Sequence, residues 1–217
     1  MSDTDSFIEE VSEEVRRDAL FGYFRRYGWI AITAVVLLVG GAAYNEYSKA
    51  QTAAAAQARG DAILTALQAE AGATRAEILG KIDTDAGTAP VVGMLLAGES
   101  LTAEDKAAAI TALKAIVDDG SQTQIYRDLA SLKLAILNTG ETDPADRIAM
   151  LTPLAVPGAA FRVLAEEQIA LAEIEKGDID AAVTRLRALL EDAESTQGLR
   201  VRAQQLIVAL GKDVEPT

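Results

Sequence analysis

The sequence predicts an all-α protein in which one transmembrane helix is followed by an α-solenoid of helical hairpins, and three observations predict it. The chain is alanine-rich, with only five prolines and 5% aromatic residues, so it favours helix and lacks the aromatic and β-branched content of strands. One uncharged run is long enough to cross a bilayer. Beyond Pro90, glycines and aspartates punctuate helical stretches at regular spacing.

Composition also removes whole classes of chemistry. The 217 residues carry 33 acids against 20 bases, a net charge of -13, which excludes a nucleic-acid surface. There is no cysteine and no histidine, so disulfides, thiol nucleophiles, thiolate or imidazole metal sites and imidazole-based triads are all out of reach. Neither G-x-G-x-x-G nor a phosphate loop ending in lysine and serine or threonine is present, and Gly40-Gly41 fall inside the uncharged run. Asp83 and Asp85 begin like a calcium loop, but its later ligands are missing. Asp118 with Asp119, and Glu166 with Glu167, are adjacent on helices and diverge by about 100°, which suits surface charges better than a catalytic pair. Neither catalysis nor a cofactor or metal is expected.

From Gly28 to Asn45 the residues GWIAITAVVLLVGGAAYN carry no charge, and at 1.5 Å per residue they match a hydrocarbon core of about 30 Å. Trp29, Leu37, Leu38 and Tyr44 mark this span, with Trp29 at one interface and Tyr44 and Tyr47 at the other. A cleavable signal peptide and a buried core helix are the competitors. The first fits poorly, because acids crowd the preceding segment and the helical pattern continues past the small residues. Arg16, Arg17, Arg25 and Arg26 flank one side, against Lys49 close on the other, so the N-terminus is expected in the cytoplasm. In a Gram-negative cell this gives a cytoplasmic segment 1–27, a span 28–47 in the inner membrane and a periplasmic domain 48–217.

Before the span, FIEEVSEEVRRDAL places Ile8, Val11, Val15 and Ala19 on one stripe, a short amphipathic helix suited to docking on a partner or to a solvated lead-in. After the span, residues 46–71 read as continuous helix with Gly60 the weak point. Thr74 and Glu77 read as a capping pair for a second helix reaching about Ile82, and DTDAGTAP as a turn. TAEDKAAAITALKAIVDDG reads as another helix capped by Thr102 and Asp105.

Gly140 and Gly177 lie 37 residues apart, each followed at equal offsets by Asp143 and Ala145 or by Asp180 and Ala182. Ile125, Leu129, Leu132 and Ile136 form one expected buried stripe; Ala182, Val183, Leu186, Leu189, Leu190 and Ala193 form another. Arg162, Glu166, Glu173 and Lys176 share a polar face on the helix from Phe161, either solvated or facing a ligand. QGLRVRAQQLIVAL, residues 197–210, reads as a closing helix.

The stretch LAEEQIALAEIEKGDIDAAVTRLRALLED resembles a tetratricopeptide repeat. Ala170, Gly177, Ala182 and Leu186 fall at that motif's small and apolar landmarks, although the repeat is degenerate. The wider order of parts, with EEVRRDALFGYFRRYGW before one span and GLRVRAQQLIVALG at the close, resembles the YfgM-like family of ancillary SecYEG translocon subunits. That resemblance implies a single-span inner-membrane protein whose periplasmic repeats associate with the translocon and with periplasmic chaperones. It supplies no catalytic residue.

The expected function is therefore a membrane-anchored protein–protein interaction module, with translocon subunits, chaperones or exported chains as partners. Tyr126, Arg127, Arg162 and Glu166 are the expected partner-binding residues. The alternative is a structural envelope or division scaffold acting through self-association.

Overall fold

The computed structural model describes residues 3–214, with side chains from residue 25 onward except at residue 31. Among these residues all regular structure is helical. The chain divides into two compact units, one through Ala58 and one from Arg59.

The first unit is helix α1, Asp3–Gln68, which also contributes its last turns to the second unit. The amphipathic stretch 7–20 belongs to this continuous helix instead of forming a separate short one, and its side chains lie outside the described residues, as do those of Arg16 and Arg17. Nothing interrupts α1 because it contains no proline, and Gly60 costs helix stability without ending it. It is the one helix among the described residues long and apolar enough to cross a membrane, with a mean hydropathy of 1.7 over its most apolar window. Trp29, Leu37, Leu38 and Tyr44 are all well exposed to the surroundings.

The second unit strings together α2 (Ala73–Leu79), α3 (Ala89–Thr102), α4 (Lys106–Asp118), α5 (Gln124–Leu137), α6 (Pro144–Leu151), α7 (Arg162–Lys176), α8 (Ile179–Glu191) and α9 (Gln197–Ala209). Each helix packs on the next in sequence. The core is accordingly a series of small clusters. Ala66, Leu79 and Val92 join α1, α2 and α3; Ala97, Leu113 and Ala130 join α3, α4 and α5. Ala135, Leu151 and Ala165 join α5, α6 and α7, and Ala170, Leu186 and Ala203 join α7, α8 and α9. This is the one-dimensional packing of an α-solenoid, in which each unit buries its apolar face only against its neighbours. α3 escaped the sequence reading, which treated Pro90 as the end of a turn. Proline instead sits in the first turn of α3, where its missing N–H costs nothing.

Several local expectations change in the structure. α2 is not capped by Thr74 and Glu77, since Glu77 pairs with Lys81 at 2.5 Å. A distant acid does that work: Glu99 of α3 accepts from Gly72 N at 2.7 Å and from Arg75 Nη1 at 2.8 Å. Asp105 alone caps α4, accepting from Ala108 N at 2.9 Å, while Thr102 ends α3. The buried face of α5 is Ala130, Leu132, Leu134 and Ala135, whereas Ile125 and Ile136 are exposed. On α8 the buried set is Ala182, Val183, Leu186 and Leu189; Ala193 lies beyond the helix and is exposed.

The repeat register is 35 residues, not 37. Ala130, Leu132, Leu134 and Ala135 correspond in burial to Ala165, Glu167, Ile169 and Ala170, and Arg147, Leu151 and Leu154 to Ala182, Leu186 and Leu189. Asp143 caps α6 as Asp178, not Asp180, caps α8. Ala145 is consequently exposed, and its apparent match to Ala182 is coincidental. Gly140 and Gly177 both have positive φ, but Gly177 follows α7 directly whereas Gly140 lies further into its loop.

Candidate functional site

The α7–α8 hairpin is the tightest turn between paired helices. α7 ends at Gly177 in the left-handed conformation (φ 85°), Asp178 N donates back to Glu173 O at 2.8 Å, and the Asp178 carboxylate caps α8 through Ala181 N. Ala170, Ala172 and Ala182 are fully buried and let the two helices approach closely. Their wetter faces, with the segment after α8, line a cleft of about 580 Å³. Arg162 and Glu166 of α7 meet Asp180, Thr184 and Arg185 of α8 there, with Asp192 beyond, while Ala181, Ala188 and Leu189 supply apolar lining.

Two arginines organise the acids. Arg162 grips Asp192 with two hydrogen bonds, of 2.7 and 2.9 Å, and reaches Glu194 Oε2 at 2.7 Å. Arg185 bridges Glu173, at 2.7 Å, and Glu166. Such forked, charge-assisted pairs are geometrically specific. The Arg162 guanidinium, followed by the Glu194 N–H, holds the Asp192 carboxyl below the usual range. The carboxylates in turn push both arginines further up, Arg162 chiefly through Asp192 and Arg185 chiefly through Glu173. Asp192, Arg162 and Arg185 are thus each held in the charged form by the pairing.

The expected polar face of α7 is only partly solvated. Lys176 is exposed, but Arg162, Glu166 and Glu173 are engaged across the hairpin. Glu167 is 5% exposed, not a surface charge, and takes a bidentate grip from Arg202 of α9 at 2.6 and 2.7 Å. Glu166 and Glu167 therefore serve different partners on different sides of α7.

Of the four expected partner-binding residues, the cleft gathers Arg162 and Glu166. Tyr126 and Arg127 lie elsewhere, on α5: Tyr126 packs against the α3–α5 core and Arg127 Nη2 donates to Gln124 Oε1 at 2.5 Å. The sequence reading missed Arg185 and Asp192. Their only signal was the question of which cations face Glu166 and which acids face Arg162 across the turn, and helix crossing decides that. Arg25 and Arg26, the described half of the orientation cluster, lie on α1. Among the described residues no group of three or more acids, histidines or cysteines is placed to hold a metal ion.

A family model described as a tetratricopeptide repeat-like domain matches residues 22–169, from the apolar part of α1 into α7. No curated protein and no solved structure matches the chain. Domains of this kind are typically non-catalytic modules for protein–protein interaction, in keeping with stacked hairpins that leave a charged cleft open between two helices. With the match covering well over half of its length, the chain belongs to the tetratricopeptide repeat-like domain family.

Proposed function

We propose that this protein is a membrane-anchored interaction module that works beside the Sec translocon and receives translocon subunits, periplasmic chaperones or exported chains on its repeat domain. The observation that carries the reading is that one helix, α1, supplies an exposed apolar stretch of membrane-spanning length and also the first helix of the repeat array. In water an exposed run such as Val35 to Val39 would be a liability; in lipid it is an anchor. The arrangement is a segment 1–27 in the cytoplasm, a span 28–47 and a periplasmic domain 48–217, with the positive-inside bias of Arg16, Arg17, Arg25 and Arg26 supporting the orientation. Tethering keeps the array close to the bilayer, so weak contacts gain from a raised effective concentration.

The α7–α8 cleft, through Arg162 and Glu166, is the proposed contact surface. A photo-crosslinking residue at position 166 in intact membranes is expected to capture translocon subunits or chaperones. Crosslinks to a second copy alone would favour the scaffold alternative. A reporter active only in the periplasm should be silent when fused before Gly28 and active when fused after the repeat domain; the reverse pattern would overturn the orientation.

A further inference from the structure

The described arginines divide into two groups. From Arg59 to Arg202, each donates to an oxygen of the chain, most of them to a carboxylate. Arg25 and Arg26 do not. Both are exposed and have no ion pair or hydrogen bond among the described residues; Arg26 lies over the Tyr27 ring, 5.9 Å from its centroid, a contact that supplies no oxygen to its N–H groups. The planar donors of these two guanidiniums therefore take their acceptors from outside the chain.

Their position says which acceptors are at hand. Gly28 begins the uncharged run, and Arg26 and Arg25 precede it by two and three residues, about 3 and 4.5 Å along the axis of α1. The headgroup layer is roughly 5–7 Å deep on each side of the hydrocarbon core. With Gly28 at the hydrocarbon edge both guanidiniums reach the phosphates, because helical side chains slant toward the N-terminus and long basic ones extend toward water. No acid of the chain competes closely. None lies between Asp18 and Glu46, and Asp18 is about 10 Å of helix from Arg25, a full Debye length. At the other end of the run Glu46 directly follows Asn45 and offsets Lys49, so the cationic excess is confined to one interface.

A zwitterionic headgroup brings an ammonium with each phosphate, which competes with the arginines for the same oxygens, whereas an anionic headgroup brings none. We propose that Arg25 and Arg26 hold the phosphates of anionic phospholipids, such as phosphatidylglycerol, in the leaflet at the N-terminal end of the span. Their N–H edges grip the phosphodiester oxygens through forked, charge-assisted hydrogen bonds, and the lipid neutralises two charges that the chain leaves bare. The inference rests on α1 crossing the membrane and is independent of the use of the α7–α8 cleft.

Trp29, the only tryptophan of the chain, reports on this site, since it follows Arg25 by four residues and shares its side of the helix. The full chain is reconstituted into vesicles of phosphatidylethanolamine and phosphatidylglycerol in fixed proportion, with brominated acyl chains on one lipid or on the other, and quenching of Trp29 fluorescence is compared. Phosphatidylglycerol should be enriched around Trp29 over its bulk proportion by roughly five- to thirtyfold, at about fivefold for each arginine engaged. In the Arg25→Gln, Arg26→Gln variant, which keeps the span intact, the local proportion should return to that of the bulk. Equal quenching by the two labels in the parent chain, or an enrichment that survives loss of both arginines, would overturn the proposal. Trp29 left unquenched by either label would place it outside the lipid and overturn the membrane span, and this proposal with it.

Discussion

Substitution of Gly177 isolates a single energetic contribution. The residue sits at φ 85° and ψ 7° between α7 and the Asp178 cap of α8, and a Cβ built there meets no atom within 4 Å. Steric crowding contributes nothing, so the cost of a side chain is the backbone penalty of the left-handed region, about 1–2 kcal/mol for an ordinary residue. β-branching adds to it, and asparagine, which tolerates this conformation, reduces it. The expected order of destabilisation is therefore Val > Ala > Asn. For a domain of this size each kcal/mol lowers Tm by roughly 2–4 °C, so Gly177→Val should melt about 2–8 °C below the parent. Thermal unfolding of the purified full chain, followed by circular dichroism at the helical minimum, reads this directly. A Gly177→Val protein melting within a degree of the parent would refute the reasoning, since it would mean that the turn rearranges at no cost. Gly98→Ala supplies the opposite sign, with an expected gain of about 0.5–1 kcal/mol, because its backbone is helical and its surroundings open.

Leu186 is fully buried among Ala170, Leu199, Ala203 and Ile207, so Leu186→Ala should cost about 2–5 kcal/mol in urea unfolding and raise hydrogen exchange first in α9. Arg147 is fully buried, paired with Glu175, and leaves Nε and Nη2 without partners. Arg147→Met should accordingly be neutral or stabilising, whereas Glu175→Ala, which strands the cation, should destabilise; the same unfolding curves compare them. The Gly72 N–H and the Arg75 guanidinium hold the Glu99 carboxyl below its ordinary value of 4.5. A group depressed in the folded state stabilises the fold above its unfolded pKa, and the contribution disappears as pH falls through the folded value. Stability should thus decline below about pH 4.5, and less steeply in Glu99→Gln; identical acid profiles for the two proteins would argue against the clasp.

Part of the local structure was legible in the sequence. The apolar run within α1 and the preference for helix throughout each depend on a few contiguous residues, whereas the cap of α2 comes from Glu99, distant in sequence, and could not be read from Thr74 and Glu77. Packing was legible only in part. In a solenoid every helix touches both the one before and the one after it, so its buried surface is a broad two-sided band, and alanines, which fit either inside or outside, blur its edges. Hence α5 buries Ala130, Leu134 and Ala135 while Ile136 faces a groove beside Gly98, and the 35-residue register emerges from burial where glycine spacing pointed to 37. The interior position that Ala182 fills on α8 is taken on α6 by Arg147, because Glu175 of the next helix is close enough to neutralise it. The cleft, too, is a tertiary product. Arg162, Glu166, Arg185 and Asp192 are spread over three consecutive segments, and only the crossing of α7 on α8 brings their charges within hydrogen-bonding reach.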